Sequence, residues 1–130
     1  MFKERSKEQE LLDIKEERDL ILQSHWFMHM VNRLFGGERV VRKFIERYMN
    51  KNDLKGVSVL DMGSGFCDIP IKVQKKLAAK GYKINFTCIE NDQTAYEEGV
   101  KNISEKKADI KIIHKDIFDF STDEKLDIAV

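Results

Sequence analysis

The chain is most easily approached through what it lacks. It has one proline, one tryptophan and two cysteines in 130 residues. Cys67 and Cys88 are too few and too loosely patterned for a disulfide framework or a zinc site, so no metal centre is expected. Net charge is absent as well, because 23 basic residues balance 23 acidic ones. No overall field therefore recruits nucleic acid or an anionic membrane. No apolar run approaches the roughly 20 residues that span a bilayer. The opening residues are too charged for a secretory signal. Repeats and low-complexity tracts are missing too. A soluble cytoplasmic protein in a reducing compartment is expected.

What is present divides by pattern. Charged residues make up 35% of the chain and hydrophobic ones 42%, the mark of well-solvated helix faces around a core. Up to Asn52 the composition is that of helices, rich in Glu, Lys, Arg and Leu. Leu11, Ile14 and Ile21 with the stem of Arg18 predict a first amphipathic helix over roughly 5–23. A second is expected over roughly 24–35, ended by Gly36-Gly37, and a third over roughly 38–49 with Val40, Val41, Phe44, Ile45 and Tyr48 on its apolar side. From Val57 the period changes. Strands over 57–60, 83–89, 109–114 and 126–130 alternate with helices over 68–80 and 92–104. That alternation predicts an α/β fold with a parallel sheet and right-handed crossovers. Residues 1–52 form a helical cap segment in this reading, and 53–130 the α/β unit.

The chemistry is concentrated in Val59-Leu60-Asp61-Met62-Gly63-Ser64-Gly65-Phe66-Cys67-Asp68. A β-branched strand ends in an acid, passes two glycines and enters a helix. The first glycine permits a tight turn, and the second lets a ligand approach the backbone. A dinucleotide would lay its pyrophosphate on the helix N-terminus. Asp68 puts a carboxylate there instead, which repels phosphate and favours a nucleoside ligand bearing positive charge. S-adenosylmethionine, with a sulfonium, an ammonium and no phosphate, fits. Two more acids follow at strand ends. Glu90 can accept both ribose hydroxyls, and Asp116 can accept from an adenine amine while Ile117 packs on the ring.

These residues resemble the class I S-adenosylmethionine-dependent methyltransferases, Rossmann-like and of small-molecule type. Val59–Gly65 matches the first motif, Glu90 the second, Asp116-Ile117 the third, and Leu126-Asp127-Ile128-Ala129-Val130 the start of the fourth. The glycine loop is similar to a GxGxGDIP variant, preceded by a helix ending in Gly36-Gly37. The resemblance implies sheet order 3-2-1-4, the first half of a seven-stranded fold, apparently truncated after the fourth strand. It also implies that Asp61 and the loop from Gly63 through Ser64 and Gly65 to Phe66 hold the methionine end, Glu90 with Asn91 the ribose, and Asp116 with Ile117 the adenine. Cys67 stands where the family has its third glycine. Its side chain must either point away from the ligand or narrow the pocket.

The acceptor is expected to be a small molecule, and no catalytic residue is named. The helices before the first motif contribute acceptor contacts in such proteins, which makes His25, Trp26 and His29 candidates for substrate contact. Two other readings stay open. One is a non-catalytic cofactor-binding or assembly module. The other is half of an NAD-dependent oxidoreductase, against which Asp68 argues. A bare fourth strand would invite a second copy or a partner chain to cover it.

Overall fold

The computed structural model describes residues 7–130, apart from the side chains of 7–13, 25, 29 and 32–35. Its elements are α1 (Lys7–Phe35), α2 (Gly37–Lys51), β1 (Gly56–Met62), α3 (Asp68–Ala79), β2 (Lys83–Glu90), α4 (Gln93–Glu105), β3 (Ile110–His114) and β4 (Ile128–Ala129), with a single 3-10 turn at Ile117–Asp119. The strands form one sheet in the order β3-β2-β1-β4, and every pairing is parallel. This is the α/β architecture and strand order expected from the sequence.

Most boundaries move by one or two residues, and two differences have a local reason. The first two helices are one, running unbroken for 29 residues. No glycine or proline interrupts Lys7–Phe35, and Ser24 alone does not end a helix. The break comes at Gly36, whose φ of 73° is the left-handed conformation that turns the chain into α2. β4 begins at Ile128 rather than Leu126. The Asp127 carboxylate accepts the Ser58 N–H at 2.9 Å, so the ladder with β1 starts at Ile128, two residues later than expected.

The core lies on one face of the sheet. Register places Val57 beside Ile84, Val59 beside Phe86 and Asp61 beside Cys88, so these side chains share a face. Val73 and Leu77 of α3 are fully buried against that face, and Ile45 and Met49 of α2 join the same cluster. The apolar side predicted for α2 therefore splits. Ile45 is buried and Val41 and Tyr48 pack beside it, whereas Val40 and Phe44 face solvent. On α1, Ile14 is exposed rather than buried. That helix is tied to α4 through Arg18, 3.2 Å from Glu97 and 3.9 Å from Glu98.

Polar links orient α2 on α3. Glu38 accepts from Lys76 at 2.9 Å and Arg42 at 2.8 Å, and Glu46 accepts from Lys80 at 2.9 Å. The Lys76 and Lys80 pairs have exposed ammoniums and contribute under about 1 kcal/mol each, and the Arg42 pair lies within α2, so apolar burial holds the helices together. Among the described residues, no helix is long and apolar enough to cross a membrane. Leu77, with no exposed surface, is the most direct probe of this core. Leu77→Ala should lower the unfolding free energy in urea by about 2–4 kcal/mol.

Candidate functional site

Three left-handed residues shape the turn after β1: Gly63 (φ 74°), Gly65 (φ 56°) and Cys67 (φ 61°). The amides of Gly63 and Ser64 both donate to the Ile89 carbonyl, at 2.8 and 3.2 Å, which fastens the turn to the end of β2. A side chain added at Gly63 would meet nothing within 4 Å, so the turn opens onto space that a ligand can enter. Cys67 explains its own departure from glycine. Its conformation is the one glycine favours, but its side chain is wholly buried in the core cluster and does not line the cavity. Of the two alternatives, the thiol points away. It donates to Ser64 Oγ at 3.5 Å. Behind it, a hydrogen bond to Cys67 and burial keep the Cys88 thiol protonated, well above the ordinary thiol range.

Glu90 closes β2 and joins two loops. Its Oε2 accepts the Gly65 N–H at 2.7 Å and its Oε1 accepts the Asp92 N–H at 2.9 Å. Each oxygen keeps a second acceptor position, so the carboxylate is oriented by the backbone and still able to receive hydroxyl donors. Asp61 lies close by. Burial, and then the Glu90 charge, push its carboxyl from an ordinary 3.8 up to about 6. Two carboxylates held together with poor hydration form a place that a cation would stabilise.

A cavity of about 310 Å³ opens at this edge, and Asp61, Gly63, Ser64, Gly65 and Phe66 all line it with Asp68. Glu90, Asn91, Asp116 and Ile117 stand along the same carboxyl-terminal edge of the sheet but do not line that cavity. Asn91 is exposed, and its carbonyl lies 2.9 Å from His114 Nε2. Asp116 caps the turn at Ile117–Asp119 by accepting from the Phe118 N–H at 3.0 Å, and Ile117 is half-buried. Trp26 is 66% exposed and does not line the cavity. The side chains of His25 and His29 lie outside the described residues. α1 and α2 reach the cavity through Met28 and Val41 instead.

Several contributors went unread in the sequence. His114 stacks on Tyr96 with centroids 5.0 Å apart, beside Glu90 in the ladder. Asn102 of α4 donates to the Phe66 carbonyl at 3.0 Å. Gly99 lets α4 approach the turn, since a Cβ there would stand 2.7 Å from Ile112 Cδ1 and 3.3 Å from the Gly65 carbonyl oxygen. A lone glycine inside a helical pattern was the available signal. Among the described residues, no group of three His, Cys, Asp or Glu could hold a metal ion.

The fold is that of the class I S-adenosylmethionine-dependent methyltransferases, and solved structures of that class superpose on the chain. A Listeria monocytogenes protein described as a member aligns with TM-score 0.64 and 17% identity over 71% of this chain and 28% of its own. The plantazolicin methyltransferase BpumL, in complex with a triazolic desmethylPZN analogue and SAH, aligns with TM-score 0.55 and 26% identity over 68% of this chain and 31% of its own. Coclaurine N-methyltransferase, bound to N-methylheliamine and SAH, aligns with TM-score 0.53 and 19% identity over 71% of this chain and 26% of its own. The chain thus spans under a third of the length of these structures. No protein-family model and no curated protein matches the sequence.

The Asp61 carboxyl makes a pH-dependent contribution whose sign follows from its raised value. A carboxyl that titrates higher in the folded chain stabilises fully below 3.8, and that contribution is lost as pH rises through about 6. Asp61→Asn should therefore unfold at higher urea than the parent at about pH 8, by about 1–2 kcal/mol, with the gap closing towards about pH 4. Urea midpoints across that range measure it.

Proposed function

We propose that this chain forms the cofactor-binding part of an S-adenosylmethionine-dependent methyltransferase that acts on a small molecule. Residues 53–130 supply the cofactor site and residues 1–52 its helical cover. The observation that carries the reading is the Glu90 carboxylate. It is aimed by the Gly65 and Asp92 amides and stands beside an acid-lined glycine turn. Such a site suits a ribose next to a positive charge and disfavours a pyrophosphate.

When bound, S-adenosylmethionine supplies a methyl group activated by its sulfonium. The chain's own residues would orient it. Asp61 offers a carboxylate to the cationic methionine end, with the amides of the turn around it. Glu90 receives the ribose hydroxyls on its remaining acceptor positions, with Asn91 alongside. Asp116 accepts from the adenine amine, and Ile117 packs on the ring. An acceptor entering from the helical side meets Met28 of α1 and Val41 of α2, and Trp26, His25 and His29 belong to α1 with Met28. The likeness to BpumL, whose complex contains a triazolic desmethylPZN analogue and SAH, supports an acceptor held beside the cofactor.

Calorimetric titration separates the candidates. The chain should bind S-adenosylmethionine and S-adenosylhomocysteine, and bind NAD far more weakly. Glu90→Gln should weaken S-adenosylhomocysteine binding by about 10–100-fold, the scale of lost charge-assisted hydrogen bonds. Affinity for the cationic S-adenosylmethionine should also fall as pH drops through about 6, where Asp61 takes up a proton. NAD binding as tight as that of the methionine compounds would overturn the reading.

A further inference from the structure

At the opposite end of the sheet lies a second and larger cavity, of about 570 Å³, that the methyltransferase reading does not use. It opens where β2 and β3 begin, beside the last turns of α3 and α4. Lys83 and Glu90 stand at opposite ends of the eight-residue β2, about 23 Å apart along the strand. The two cavities are therefore distinct.

The second has the opposite electrostatic character. Lys75, Lys83, Lys106 and Lys107 line it against a single carboxylate, Asp109. Lysines near helix C-termini ordinarily serve the last carbonyls, but here the backbone has taken that role. The Leu77 carbonyl accepts from Lys80 and Tyr82 amides, Ala78 from Gly81, Asn102 from Lys106, Ile103 from Ala108 and Ser104 from Lys107. Nearby Lys76 and Lys80 are paired with Glu38 and Glu46. Among the described residues, none of the four lining ammoniums has an ion pair or a side-chain hydrogen bond.

The floor between them is rigid and partly apolar. Gln74 donates to the carbonyls of Ile84 and Asp109 at 2.9 and 2.8 Å and accepts the Asp109 amide at 3.2 Å, which locks the starts of β2 and β3 together. Ile71, Ile84 and Ala108 provide the apolar surface. The Tyr82 hydroxyl is held by Asn50 at 2.9 Å, so its ring is fixed at the wall. A concave apolar floor ringed by uncommitted positive charge is a site for a small organic molecule that carries negative charge.

We infer that this cavity binds a small organic anion, with a flat apolar body on the Tyr82 side and a phosphate or carboxylate group among the four lysines. The size of the cavity favours such a ligand over a nucleic acid, which would need a basic track extending beyond it. The site is independent of the cofactor edge.

The test uses the whole chain and 1-naphthyl phosphate as probe, with 1-naphthol and inorganic phosphate as controls, followed by calorimetry and amide NMR. Saturable binding of 1-naphthyl phosphate that perturbs the Gly81 and Ala108 amides is expected, with each control at least about tenfold weaker. The double variant Lys83→Gln/Lys107→Gln should weaken the probe about tenfold or more, roughly tenfold per about 1.4 kcal/mol. Its S-adenosylhomocysteine affinity and urea midpoint should stay unchanged. Lys101→Gln, on α4 but outside the lining, should leave probe binding intact. A naphthyl carboxylate that replaces the phosphate equally well would assign the site to anions in general and support it. Equal binding of 1-naphthol, an equal loss in Lys101→Gln, or tighter binding of a single-stranded oligonucleotide than of the probe would each overturn it.

Discussion

The Glu90 carboxylate is the joint on which the candidate site depends. Through Gly65 it fixes the turn after β1, and through Asp92 it fixes the entry to α4. Two loops from two different strands are thereby held by one side chain. The cost is a carboxylate placed next to a second acid, Asp61, whose titration, already raised by burial, the Glu90 charge raises further. A protein with no use for a cation at that point would gain stability by removing one of the two charges. That both stand there is physically sensible when a positive ligand completes them.

The turn itself shows how tightly backbone and packing are coupled. Left-handed φ values at Gly63, Gly65 and Cys67 bend the chain back onto the Ile89 carbonyl. Gly99 allows α4 to press against the same segment from behind, and Asn102 secures the Phe66 carbonyl. Cys67 tolerates the strained conformation because its buried thiol fills space in the core cluster. A non-glycine residue in that region costs on the order of 1 kcal/mol, which packing of this kind offsets.

Charge is arranged along the sheet as well as within the site. The carboxyl-terminal edge carries Asp61, Asp68 and Glu90, while Lys75, Lys83, Lys106 and Lys107 gather at the other end. A chain with no net charge is thus locally acidic at one end and locally basic at the other. Composition averages this away. It constrains what the whole molecule attracts at long range, but not what each cavity attracts within a Debye length.

The strand-to-helix alternation and the acids at strand ends were legible in the sequence because they depend on local period and on residue type at a fixed offset, whereas the strand order was implied by the family resemblance. Asp61, Gly63 and Gly65 could be read in this way, and the turn they form is where it was expected. Boundaries set by long-range bonds could not. The late start of β4 follows from the Asp127 bond to Ser58, a partner 69 residues away. The continuous α1 and the divided faces of α2 depend on which side of each helix meets the sheet, and periodicity does not specify that. Met28, Val41, His114 and Gly99 enter the site only when separate elements are brought together. By itself the sequence determined the backbone chemistry of the glycine turn, since each residue there acts through its own φ or its own charge. Only the tertiary structure decided the direction of the Cys67 thiol, the two backbone partners of Glu90 and the gathering of lysines at the far end. Those are relations between residues distant in the chain, and packing alone establishes them.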